Sequence, residues 1–230
     1  MYTNADRGVM HAPIDELTAD GYDLQFGTNV LGHYYLTKLL LPTLLATARS
    51  SPDKHVRVLT TSSIMHYIGS LDFNTFKDGP ARRRRGTELL YAQSKYVSRG
   101  AVRACVWATL RAYCFVRQGD LVMAMELARR YGAQGVVSTA INPGNLDTDL
   151  MRHMGPVALR LLKLILHPMP QGALTQLWGA TAAEGAQLNG KYLAPWARVR
   201  VPRSDALEPR IGKELWEWLD AQVKAFDAPA

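Results

Sequence analysis

Between Thr18 and about Ala48 the apolar positions Leu24, Val30, Leu31, Tyr34, Tyr35, Leu39 and Leu40 recur at helical spacing. The pattern predicts a helix with short breaks, capped by Thr18 and stopped by Ser50-Ser51-Pro52-Asp53. His55–Thr61 then reads as a short strand, with Ser62 and Ser63 at its carboxyl end. Residues 64–87 read as a polar loop holding Gly69, Gly79, Pro80 and the run Arg82–Arg85. A helix is predicted from about Glu88, carrying Tyr91 and Lys95, and Ala124–Tyr131 reads as the end of a helix stopped by Gly132. Val136–Ile141 has few polar positions, as expected of a strand covered on both faces, and it ends in Asn142-Pro143-Gly144. An apolar segment follows to about Ala182, and Lys191–Leu193 is a candidate third strand. The chain finishes with an amphipathic helix in which Ile211, Leu215, Trp218, Leu219, Val223 and Phe226 share a face.

Strands that alternate with helices argue for one α/β domain, residues 1–230, built on a parallel sheet. Ligands of such sheets sit at the carboxyl ends of the strands. Ser62-Ser63 and Asn142-Pro143-Gly144 both stand at such ends.

Composition changes this picture little. An apolar share of 47% and a charged share of 20% are ordinary for a globular protein. The net charge of +7 is concentrated in Arg82–Arg85 and in Arg99, Arg103, Arg111 and Arg117. No aromatic residues interleave the first run, so it reads as a solvated loop and not as a nucleic-acid site. Cys105 and Cys114 have no zinc-ligand spacing, which points to a reducing, cytoplasmic setting. Residues 1–10 resemble neither a signal peptide nor an anchor. The apolar run Val157–Leu166 is too short to span a bilayer and carries Arg160 and Lys163, so no transmembrane segment is expected.

Candidate chemistry sharpens the reading. Tyr91 and Lys95 are four apart and share a helix face. An ammonium beside a phenol favours the phenolate and lowers the pKa from about 10, which makes the phenol a usable acid/base. Around this pair the order is T-N-V-x-G at Thr28–Gly32, a strand ending in S-S, Y-x-x-S-K, and a strand ending in N-P-G-x-x-x-T. That order resembles the short-chain dehydrogenase/reductase family, in particular fungal members similar to retinol dehydrogenases and to the oxidoreductase domain of WW-domain oxidoreductase. Residues 21–42, 71–82, 126–135, 142–150 and 188–199 also look like stretches of that subfamily.

The resemblance implies a Rossmann-type doubly wound sheet and hydride transfer between a nicotinamide cofactor and an alcohol or carbonyl carbon. Tyr91 would be the acid/base, and Lys95 would tune it and bind the nicotinamide ribose. Ser63 would hold the carbonyl oxygen, and Asn29 would hold a helix kink and a relay water. Pro143, Gly144 and Thr148 would contact the cofactor, together with Asn4, Ala5 and Gly8 of an altered N-N-A-G motif. The cofactor would be NAD or NADP, with NADP the commoner in the family. The substrate would be a small hydrophobic alcohol, aldehyde or ketone, covered by a lid from residues 151–182. A homodimer is compatible with the family.

Two departures set further expectations. The family's T-G-x-x-x-G-x-G loop, whose glycines let the backbone approach the pyrophosphate, has no counterpart here. The fold expected is therefore a truncated sheet lacking the first strands, with little or no dinucleotide binding. A catalytically inactive remnant or binding module is the alternative. The second departure is the segment 97–118: joining Tyr96 to Gly119 restores the family's helix without a gap. Its first residues, Val97-Ser98, can be encoded as a splice donor and its last, Gln118, as an acceptor. The segment is thus expected to be an insertion of translated intron sequence.

Overall fold

The computed structural model describes residues 2–3, 12–62, 71–85, 119–147 and 166–227. Its core is a five-stranded sheet in the order β1 (Tyr2–Thr3), β2 (Val56–Thr61), β3 (Val136–Ile141), β4 (Tyr192–Ala194) and β5 (Arg198–Arg200). The first four are parallel and β5 turns back antiparallel on β4. This is the parallel α/β sheet that the alternation of strands and helices predicts. Two strands have no forerunner in the hydrophobic pattern: β1, which pairs Tyr2 with Leu59 and Thr3 with Thr60, and β5, whose three residues are all exposed.

Alternate strand residues face opposite layers. Val58, Ala140, Tyr192 and Ala194 join one apolar core with α2 (Gly32–Ser50), α4 (Gly119–Tyr131) and α6 (Pro209–Asp227). Leu59, Ile141 and Leu193 form a second, smaller core with Leu188 and Trp178. Trp178 belongs to α5 (Met169–Thr181), which covers that face. β3 is buried along its whole length because both layers close over it.

Helix α1 (Leu24–Phe26) does not start at Thr18 as the spacing predicts. Thr18 instead closes a turn, its Oγ1 accepting the Tyr22 N–H at 3.1 Å. The cap is Asp23, which accepts the Phe26 N–H at 2.8 Å. The polar loop after β2 also needs correction. It contains a 3₁₀ turn at Phe73–Thr75 and helix α3 (Pro80–Arg85), and Arg82 is 1% exposed, not solvated. Its guanidinium reaches Asp23 at 3.1 Å and the carbonyls of Ile14 and Glu16 at 2.5 and 2.9 Å.

Helix α6 locks onto α2 through Asp220. Its Oδ1 accepts Lys38 Nζ at 2.5 Å and the phenol of buried Tyr34 at 3.0 Å, and its Oδ2 meets Lys224 Nζ at 2.8 Å. Hydrogen bonds from Lys224, Lys38 and Tyr34 hold this carboxyl well below the ordinary carboxylate range. A depressed folded-state pKa contributes stability that is complete above the unfolded value, about 3.9, and is lost as pH falls below it. Asp220→Ala is expected to cost about 1–3 kcal/mol at neutral pH, since buried Tyr34 loses its acceptor. It should also flatten the acid limb of the melting curve below about pH 4, as measured by thermal denaturation across pH.

Candidate active site

The three central strands end side by side. Ser62 follows β2 and donates its N–H to Ile141 O at 2.6 Å, and Asn142 follows β3 and donates its N–H to Leu193 O at 2.7 Å. Pro195 and Trp196 follow β4 directly. Main-chain bonds therefore fix Ser62, Asn142 and the end of β4 along one carboxyl edge, where parallel sheets bind ligands.

Asn142, Pro143 and Gly144 leave that edge as a closed turn. The Asn142 Oδ1 accepts the Gly144 N–H at 3.0 Å. Gly144 has φ +97°, and a Cβ there would lie 3.2 Å from Pro195 Cγ. Only glycine takes this conformation without strain, and its lack of a side chain lets Pro195 pack against the turn. Beyond the turn, Asp147 N–H donates to His167 O at 3.0 Å and His167 N–H donates to Asn145 O at 2.8 Å. Residues 145–147 and 167 are thereby clamped together, bracketing the segment 148–165.

Asn29 sits in a different layer. Between α1 and α2 the chain forms a π-helical turn, Gly27–Leu31, and Asn29 lies within it, fully buried. Such turns are rare and are frequent at functional sites. Gly27 has no room for a side chain: a Cβ would meet Thr18 Cγ2 at 2.6 Å. Gly119, which opens α4, is equally tight, since its Cβ would meet Val30 Cγ2 at 2.8 Å. The π turn is thus pressed against the start of α4, the helix that follows the Tyr91–Lys95 region in sequence.

Of the candidate residues, the structure places Asn29, Pro143 and Gly144. Ser63, Tyr91, Lys95, Thr148, Asn4, Ala5 and Gly8 lie outside the described residues, as does all of 97–118. Within the lid candidate 151–182, residues Met169–Thr181 form α5, whose Gly172, Thr175 and Gly179 are buried, Gly172 against Leu146 and Gly179 against the sheet. The remainder up to 165 lies outside the described residues. Two residues that no motif marks, His167 and Trp196, stand at the same carboxyl edge, their rings edge to face. The hydrophobic pattern gives no signal for them.

Among the described residues there is no group of three or more His, Cys, Asp or Glu side chains fit to hold a metal ion. None of the described helices is long and apolar enough to cross a membrane.

No family model matches the chain. A short-chain dehydrogenase/reductase of Armillaria gallica is 46% identical over 226 residues, which cover 98% of this chain and 65% of the relative. One from Phomopsis amygdali is 36% identical over 246 residues, with the same coverage of 98% and 65%. Retinol dehydrogenase 13 of Homo sapiens is 30% identical over 231 residues, 97% of this chain and 60% of that protein. Among solved structures, an uncharacterised protein of Mycobacterium Paratuberculosis superposes with a TM-score of 0.60 at 25% identity. That match covers 92% of this chain and 63% of the other. The chain thus spans 65% of the length of the fungal relatives named here.

Proposed function

The chain belongs to the short-chain dehydrogenase/reductase family, and on that premise we propose that it is an NAD(P)-dependent oxidoreductase acting on hydrophobic alcohols, aldehydes or ketones. The observation that carries this reading is the shared carboxyl edge. Ser62, the Asn142–Gly144 turn and the end of β4 stand side by side there, tied by main-chain bonds between the strands, and Gly144 lets Pro195 close on the turn.

Each residue then has a stated task. In the reducing direction the Tyr91 phenol gives its proton to the substrate oxygen, and in the oxidising direction the phenolate takes it back. Lys95, four residues on in sequence, favours the phenolate by its charge. The Ser63 hydroxyl donates to the same oxygen and orients the carbonyl. Asn29, held by the π turn, positions a water behind Lys95 through which the proton exchanges with solvent. Pro143, Gly144 and Thr148 border the nicotinamide, and Asn4, Ala5 and Gly8 lie toward the remainder of the dinucleotide. When bound, that cofactor supplies or accepts the hydride. Residues 151–182 are proposed to cover the substrate, and a homodimer is the proposed assembly.

The test has two arms. Fluorescence titration with NADPH and NADH is expected to give saturable binding of at least one, weaker than micromolar because the glycine-rich loop has no counterpart in this sequence. Incubation with that dinucleotide and a hydrophobic aldehyde or ketone is expected to consume it, measured by loss of the reduced nicotinamide absorbance. A chain that binds neither dinucleotide and turns over no carbonyl is instead a non-catalytic binding module.

A further inference from the structure

Two aromatic residues stand at the β4 end of the candidate site and have no part in the proposed chemistry. Trp196 lies just beyond β4, after Pro195, and is half-buried. The far end of its ring closes on the turn after β3: a Cβ at Gly144 would lie 3.8 Å from Trp196 Cη2. His167, exposed, meets the indole edge to face, with ring centroids 5.0 Å apart and planes at 85°.

Neighbouring main chain fixes both residues. Ala197 N–H donates at 3.2 Å to the hydroxyl of Thr175, which is buried in α5, and this pins the chain on the far side of Trp196. His167 is clamped by its main-chain bonds to Asn145 and Asp147. Three separate stretches of chain therefore converge on one aromatic pair: the end of β3, the end of β4 and the approach to α5. A pair serving only the core would sit between layers, as Trp216 does against Tyr34. This pair sits at the carboxyl edge and keeps ring surface accessible, since His167 is exposed and Trp196 half-buried.

We infer that Trp196 and His167 form the substrate-side wall of the site and select flat, aromatic or conjugated carbonyl compounds over branched aliphatic ones. For the reaction itself this rests on the oxidoreductase reading. Stacked and edge-to-face rings gain energy beyond the area they bury, which a branched aliphatic chain does not. A wall held by main-chain bonds also loses little freedom when a ligand arrives.

The test uses the intact protein carrying fluorotryptophan. The chain has five tryptophans, and Trp196→Phe assigns one resonance by its disappearance. Titration with acetylnaphthalene, a flat aromatic ketone, is expected to move the Trp196 signal and leave those of Trp216 and Trp218 in place. In turnover, Trp196→Ala is expected to raise KM for that ketone about tenfold and His167→Ala about fivefold. Both should leave kcat, and KM for a branched aliphatic aldehyde, within about twofold. Trp196→Phe keeps a ring and is expected to recover most of the affinity. A Trp196 signal that stays still, or KM shifts of equal size for both substrates, overturns the wall. If the signal moves but no dinucleotide is consumed, hydride transfer fails as the function and the aromatic binding site stands.

Discussion

Replacing Tyr91 with phenylalanine is expected to slow hydride transfer about 10²- to 10⁴-fold, the usual worth of one positioned acid/base group. Dinucleotide affinity should change less than about twofold, because only a hydroxyl is removed. The sign of the accompanying pH dependence follows from charge. A free phenol titrates near pH 10, and an ammonium brought beside it favours the phenolate and lowers that value. Alcohol oxidation, which needs the phenolate, should therefore rise with pH and level off below pH 10 in the wild type. Lys95→Met removes the cation, so the same limb should move up toward about 10. Single-turnover rates measured across pH separate this chemistry from product release. A Tyr91→Phe protein with the full wild-type rate would remove Tyr91 from the mechanism and, with it, the pairing to Lys95.

How much of this was legible in the sequence depended on what made each feature. Val136–Ile141 is readable because it is covered on both faces and so is apolar throughout. The face of α6 is readable for the same reason, since Leu215, Leu219 and Val223 repeat at helical spacing against α4 and the sheet. β5 leaves no trace in the pattern: Arg198, Val199 and Arg200 are all exposed, and main-chain pairing to β4 alone makes them a strand. The helix start was misplaced because Thr18 and Asp23 are both good caps, and only the chain path shows which one faces the free N–H groups. The motif T-N-V-x-G singles out Asn29, but the π turn around it depends on contacts made by Gly27 with Thr18 and by Gly119 with Val30, far along the chain. Trp196 and His167 belong to no local pattern. Their meeting is a product of the sheet order and of the clamp between residues 145–147 and 167.

The largest effect on stability is expected at Arg82, which composition placed among solvated arginines. Arg82→Met should destabilise the protein by about 3–5 kcal/mol, the cost of leaving one member of a buried ion pair without the other. In a chain of this size each kcal/mol lowers Tm by about 2–4 °C. Four losses combine: the buried Asp23 carboxylate, the carbonyls of Ile14 and Glu16, and the Asp78 carboxylate at 3.6 Å all lose their Arg82 partner. Arg83, one position on, pairs with Asp78 on the exposed surface, so Arg83→Met should cost less than about 1 kcal/mol. The contrast separates burial from charge, since both substitutions remove one cation from the same helix. The pH dependence carries the argument further. Burial already pushes the Asp23 carboxyl above its ordinary value, against the pull of the Phe26 N–H and of Arg82. Without Arg82 it should rise further, and the variant can escape its buried charge by taking up a proton. A carboxyl whose folded pKa is raised favours the folded state at low pH, and that advantage is lost as pH rises through the folded value. The Tm deficit of Arg82→Met should therefore be smallest on the acid side and grow toward neutral pH. Adding Asp23→Asn, which keeps an acceptor for the Phe26 N–H, should recover much of the loss at neutral pH. A deficit that is constant with pH, or a double variant no better than the single one, would show that Arg82 acts by packing rather than by pairing.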